Sequence, residues 1–216
     1  MSLLLLAVIL AYLAGSIPTA VWTSRILLKD DIRNHGSGNA GATNVFRVMG
    51  WKPALFVVLV DMGKGVLATM VIARLGMRSL SLDPVWVQIL TGIAAILGHV
   101  WTVFAGFRGG KGVGTAFGVL LGLAPVAFLA SGVVWLVLVF STRVVSVASI
   151  SAGIVFPIAL FIQRYGFHSD IHYALLYLSV FLAVLILLTH RSNIQRLIRS
   201  EENKFGTKKE VKGEER

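Results

Sequence analysis

Six long apolar runs dominate this chain of 216 residues, at about 3–23, 53–73, 85–105, 113–140, 144–162 and 172–189. A helix that crosses the roughly 30 Å hydrocarbon core of a bilayer needs about 20 mainly apolar residues, so each run is a candidate span. Charged residues make up 14% of the chain, against about 25% in an average soluble domain. A soluble domain of this size cannot hide 56% hydrophobic residues, so hydrocarbon must cover the outside. The lack of cysteine excludes disulfide scaffolds, thiolate nucleophiles and thiolate metal sites. The first run has neither a basic leader nor a small-residue cleavage site before Gly15-Ser16, which predicts an uncleaved first span.

Run 113–140 is too long for one crossing. Its 28 residues would stretch about 42 Å as a single helix. Gly122 and Pro125 interrupt it, and the step before a proline disfavours helix, which predicts two helices at about 113–123 and 125–140. The positive-inside rule points the same way. Seven spans with an outer N-terminus put 16 Lys and Arg inside and 3 outside, whereas six spans put 8 inside and 11 outside. The expected fold is therefore an all-α integral membrane protein with seven transmembrane helices and a cytoplasmic C-terminus. Residues 1–190 would form one membrane domain and 191–216 a cytoplasmic polar tail. No internal repeat is visible, which weakens an inverted-repeat transporter reading.

Polar residues in such a chain are the informative ones, and three clusters fall on the predicted cytoplasmic side. The first, Asp31 to Arg47, holds Gly36, Ser37, Gly38, Asn39, Gly41, Thr43 and Asn44. Glycines there permit positive φ, and successive N–H groups form an anion nest beside Arg47; a solvated turn with capping residues explains the composition equally well. The second, Gly98 to Thr115, carries His99, Arg108, Gly109, Gly110, Lys111 and Gly112 and opens into a helix. Backbone donors, a helix N-terminus and two cations would converge on one anion there, while the competing reading is an interfacial hairpin with snorkelling basic residues. The third starts at His190 and places Asn193, Arg196 and Leu197 on one face of a continuing helix. Taken alone, it reads first as a basic helix resting on headgroups. Inside the membrane, Asp61 and Lys64 fit a structural ion pair as well as a site. Ser146 near the start of the sixth span reads as a cap within reach of a phosphate.

No serine sits in a G-x-S-x-G elbow, and no histidine has aspartate five positions on. Cytoplasmic-side carboxylates are too dispersed for a two-metal site, and the clustered aspartates of a metal-dependent lipid phosphotransferase are missing. Glycine and cation remain, a set suited to an already activated substrate whose leaving group is phosphate.

Gly15-Ser16-Ile17-Pro18, Ser37-Gly38-Asn39 with Gly41 to Asn44 and Arg47, Gly98-His99 through Gly109-Gly110-Lys111-Gly112, and His190-Arg191 with Asn193, Ile194, Arg196 and Leu197 resemble one family in order and spacing. It is the bacterial acyl-phosphate-dependent glycerol-3-phosphate acyltransferases, the PlsY family. The resemblance runs from about residue 15 to about 205. It implies a seven-helix enzyme of the bacterial inner membrane. Such an enzyme moves an acyl chain from acyl phosphate to the 1-hydroxyl of glycerol 3-phosphate, making lysophosphatidic acid for phospholipid synthesis. It also implies catalytic roles for Ser37, Arg47, Lys111, His190 and Asn193. Substrate contacts would come from Asn39, Gly41, Thr43, Asn44, His99, Gly109, Gly110, Gly112, Thr115 and Ser146. Asp61, Lys64 and Glu202 would be structural. No metal or cofactor is expected. The partners are the two substrates, membrane lipid and a peripheral enzyme that produces acyl phosphate, with no nucleic acid. This chain has Ser200 where the family's third motif has glycine, and Gly114 where alanine is common.

Overall fold

A backbone surrounded by hydrocarbon must satisfy its own hydrogen bonds, and helices do so within one segment. The computed structural model describes residues 3–78 and 82–204, and these contain helices and turns but no strand.

The first apolar run is two helices, α1 (Leu3–Gly15) and α2 (Thr19–Leu27). Pro18, which carries no N–H, sits at the break. After α3 (Ala42–Met49) comes α4 (Trp51–Val66), which continues through a π-turn at Leu67–Ile72 into α5 (Ala73–Met77). In α6 (Pro84–Val100), Pro84 opens the first turn and Asp83 accepts from the Val85 N–H at 2.8 Å. The break at Ala124-Pro125 separates α7 (Val113–Leu123) from α8 (Pro125–Thr142), as its proline predicts. There follow α9 (Val145–Phe161), extended by a π-turn at Ile162–Gly166, then α10 (Tyr173–Thr189) and α11 (Arg191–Ile198).

Among the described residues, five helical stretches are long and apolar enough to cross a membrane: Leu3–Leu27, Trp51–Met77, Pro84–Ala105, Pro125–Thr142 and Val145–Gly166. The pair α10 and α11 makes a sixth, and α7 is a shorter apolar helix. The last run does not continue straight. It bends by 60° at His190, so the helical face expected from His190 to Leu197 is broken after its first member. Residues 191–204 fold back onto the bundle, and the expected tail 205–216 lies outside the described residues.

Small residues set the closest crossings. A Cβ at Gly15 would sit 2.1 Å from the Ala95 carbonyl oxygen, and one at Gly98 would sit 2.2 Å from that of Tyr12. The backbones of α1 and α6 therefore approach as membrane helices do where side chains vanish. Thr102 Oγ1 donates to the Ser16 carbonyl and Lys64 Nζ to that of Ile17 at 2.5 Å, so carbonyls freed at the α1–α2 break find partners. Ile96, Val119, Phe156, Leu160, Leu178 and Leu182 form the core between α6, α7, α9 and α10. On α8, by contrast, Val126, Leu129, Val133, Val137 and Phe140 form one outward apolar stripe, each more than half exposed. Such a stripe requires lipid.

Candidate active site

The first polar loop is built by its own side chains. Asp31 caps the 3₁₀ turn Ile32–Asn34 by accepting from the Arg33 N–H at 3.0 Å. Arg33 returns a fork, with Nε 2.9 Å and Nη2 2.8 Å from the two Asp31 oxygens. These bonds hold the Asp31 carboxyl at about 2. The other end of the same guanidinium donates to the carbonyls of Ala105 at 2.8 Å and Arg108 at 3.0 Å, tying the first loop to the second. Asn44 is buried, and its amide is fully engaged: Nδ2 donates to the Ile32 and His35 carbonyls, and Oδ1 accepts from the Ser37 N–H at 2.8 Å. Expected as a substrate contact, Asn44 lines a cavity of about 370 Å³ while its amide is committed to the loop backbone. Its work turns Ser37, Asn39, Thr43 and Arg47 toward the same cavity.

The second loop is built by backbone. The N–H of Gly109 donates to the Val100 carbonyl at 3.0 Å, and that of Gly110 to the His99 carbonyl at 3.2 Å. They satisfy carbonyls at the end of α6 that would otherwise lack partners, so these two amides are not the free anion donors that glycine content implies. Gly109, Gly110 and Gly112 stand behind the cavity wall, and so does Thr115, fully buried with no partner for its hydroxyl. Lys111 stands in the wall, where its ammonium donates to Asn193 Oδ1.

At the bend, His190 Nδ1 lies 2.9 Å from the Ile186 carbonyl oxygen. Only a protonated nitrogen bonds there, which fixes the neutral tautomer and leaves Nε2 as an acceptor. The chain closing α11 brings back Glu202. One of its oxygens accepts from Ser146 at 3.0 Å and Asn193 at 2.6 Å, and the other from Arg196 Nε at 2.7 Å. Burial pushes this carboxyl up, but those three hydrogen bonds outweigh it and hold it below the usual glutamate range. The turn that aims Glu202 is a Schellman end. The Ser200 N–H bonds to the Leu197 carbonyl, the Glu201 N–H bonds to that of Arg196, and Ser200 takes φ +57°.

Three cations, Arg47, Lys111 and Arg196, thus face one carboxylate. Burial lowers the Lys111 pKa to about 8, with Arg196 and Arg47 adding to the shift. Burial likewise lowers that of Arg47, whose Nη2 donates to the Asn203 carbonyl while its buried Nε has no hydrogen-bond partner. The arrangement is short of negative charge, so a bound anion would complete it.

Deeper in the bundle, Asp61 accepts from Lys64 at 2.6 Å and Thr19 at 3.1 Å, with His99 Nδ1 3.7 Å away. Asp61 and His99 reach the cavity, whereas Lys64 turns away to bond the Ile17 carbonyl. No group of three His, Asp or Glu that could hold a metal occurs among the described residues. The other end of the cavity is apolar, walled by Met62, Phe117, Phe128, Trp135 and Leu136. Nothing in the sequence singled these out, since one apolar face among many carries no contrast. Only the helical spacing of Phe128, Gly132, Trp135 and Leu136 on α8 hints at it.

Residues 5–200 match the family model described as glycerol-3-phosphate acyltransferase. A glycerol-3-phosphate acyltransferase of Chlorobium luteolum is 43% identical, over 95% of this chain and 97% of its own length. One of Salinibacter ruber is 41% identical, over 95% and 93%. The crystal structure of PlsY, an integral membrane glycerol 3-phosphate acyltransferase in its glycerol 3-phosphate form, superposes with a TM-score of 0.80. It is 40% identical over 94% of this chain and 96% of that one. Its lysophosphatidic acid form gives 0.78 at 39% identity. Cationic side chains on a largely apolar cavity, in a chain alike to these proteins over nearly its whole length, lead to one conclusion: this protein belongs to the glycerol-3-phosphate acyltransferase family.

Proposed function

We propose that this protein transfers an acyl chain from acyl phosphate to the 1-hydroxyl of glycerol 3-phosphate, without a covalent acyl-enzyme. The observation that carries this reading is a single cavity with Arg47 and Lys111 at one end and Phe117, Phe128 and Trp135 at the other. An acyl phosphate has that same polarity. Arg47 and Lys111 grip phosphate, and Ser37, Asn39 and Thr43 add neutral donors beside them. The hydroxyl oxygen of glycerol 3-phosphate attacks the acyl carbon, the carbon–oxygen bond to phosphate breaks, and inorganic phosphate departs. The hydroxyl proton goes to His190 Nε2 or to a substrate phosphate oxygen. Cationic groups around the departing phosphate stabilise the charge that develops there, and holding both substrates in one cavity contributes through proximity.

In this reading the chain crosses the inner membrane seven times, and the three polar clusters face the cytoplasm. The charge tally supports it, with α7 as the short fourth crossing. A chain without cysteine allows a clean check. Ser169→Cys should react with an impermeant maleimide from outside the cell and Ser141→Cys only after lysis; the reverse pattern overturns the orientation.

The activity test uses purified protein, palmitoyl phosphate and radiolabelled glycerol 3-phosphate in EDTA without coenzyme A. Lysophosphatidic acid is the expected product. No product, or a strict demand for acyl-CoA, overturns the donor assignment. A labelled acyl group trapped on the protein overturns direct transfer. His190→Ala separates the two proton acceptors: near-normal kcat at saturating substrate removes His190 from that role.

A further inference from the structure

The apolar end of the cavity has a floor. On α7 the wall residues run Val113, Gly114, Phe117, and on α8, read from its far end, Leu136, Trp135, Gly132, Phe128. Phe117 and Phe128 are therefore the deepest wall residues on their two helices, counted from the polar end. Their rings meet edge to face with centroids 5.8 Å apart, a favoured aromatic geometry. Phe128 in turn packs on the buried core that holds Ala124, Ala127 and Leu160, so the cavity stops at these two rings. Trp135 leans on Phe117 at 6.3 Å, and its indole N–H donates to Ser149 Oγ at 3.2 Å, which fixes the side wall.

Gly132 lies one helical turn before Phe128 on the same face. A Cβ there would meet nothing within 4 Å, in contrast to the glycines at helix crossings, where a Cβ meets backbone. Close packing of helices does not explain this glycine. The space beside it belongs to the cavity. From Leu136 to Phe128 the helix rises about 12 Å, a depth that accommodates an alkyl chain but not one of unlimited length.

We infer that Phe117 and Phe128 form the stop, and Gly132 the clearance, that set the acyl-chain length this protein accepts. The inference rests on the acyl phosphate reading above. Removing a floor ring lengthens the groove, and a side chain at position 132 shortens it. Each methylene gained or lost in an apolar site changes discrimination by about tenfold or more.

The test measures kcat/KM for octanoyl, dodecanoyl, palmitoyl and stearoyl phosphate at fixed glycerol 3-phosphate. Phe128→Ala and Phe117→Ala should shift the preference toward longer chains. Gly132→Leu should lower the palmitoyl-to-dodecanoyl ratio by about tenfold or more. Phe128→Leu and Gly132→Ala ask the same question in smaller steps if the larger exchanges cost the fold. An unchanged chain-length profile in all variants, with the parent protein active, overturns this inference alone. A parent protein inactive with every acyl phosphate overturns the donor assignment, and the inference falls with it.

Discussion

The two glycine-rich loops look alike in sequence and are built by opposite means. In the first, side chains do the building: Asn44 makes three hydrogen bonds to loop backbone, and Asp31 and Arg33 clasp each other. In the second, backbone amides of Gly109 and Gly110 bond to the end of α6. What each presents to the cavity is what its own construction leaves over, a serine hydroxyl and a guanidinium in one case and an ammonium in the other. Counting glycines therefore does not count anion donors. The useful question is where each N–H goes.

The largest effect tests whether these leftovers carry the chemistry. Arg47→Ala and Lys111→Met should each reduce kcat/KM by about 10²–10³-fold, the usual loss when a buried donor to developing charge is removed. If either variant keeps near-full activity in a steady-state assay, that loop's contribution lies in its backbone after all. Next in size, Asn44→Ala removes three hydrogen bonds worth about 1 kcal/mol each. It should destabilise the protein by about 3 kcal/mol, read as a lowered thermal midpoint in detergent. An unchanged midpoint would mean that the Asn44 bonds do not hold the first loop.

Much of this was legible in advance, and the failures have physical causes. Apolar runs and the proline break at Pro125 depend on local composition, which sequence displays directly. The convergence of Ser37, Arg47, Lys111, His190 and Asn193 on one cavity could be expected only through the family resemblance, because the residues are far apart in the chain. Arg33 was hidden for a different reason. An arginine beside an aspartate reads as a surface pair, and only the fold shows its other nitrogen holding the second loop 72 residues away. Thr115 does not line the cavity, because it follows cavity-lining Gly114 by about 100° of helical rotation and faces the crossing with α4, where a Cβ on Gly65 would lie 2.2 Å from the Thr115 carbonyl oxygen.

The pH dependence sharpens the comparison further. The second loop presents a titratable cation and the first one that stays charged. With its pKa lowered to about 8, Lys111 is protonated below that pH and loses its charge as pH rises through it. Phosphate binding needs the cation, so KM for glycerol 3-phosphate should rise toward about tenfold per pH unit above 8. Lys111→Arg should flatten that rise, since a guanidinium does not titrate in this range. A flat profile in the parent protein would remove Lys111 from phosphate binding.

The smallest effect compares a glycine of the first loop with Ser200, the left-handed serine in the strap carrying Glu202. Gly38 has φ +71°, and a Cβ on it would lie 3.4 Å from the Arg33 carbonyl oxygen, an ordinary contact. Its requirement is conformational. Ser200 has φ +57° at the Schellman end of α11 and carries its Cβ into the same left-handed region. That region costs a non-glycine residue about 1–2 kcal/mol, partly offset because glycine has more freedom to lose on folding. Gly38→Ala should therefore destabilise by about 1 kcal/mol, and Ser200→Gly should stabilise by a similar amount. Both are read from thermal midpoints in detergent, with glycerol 3-phosphate absent so that binding does not enter. Opposite shifts of equal size mean that both turns are set by φ alone. If Ser200→Gly destabilises instead, the serine contributes a contact, and the geometry aiming Glu202 at Ser146 and Asn193 depends on it.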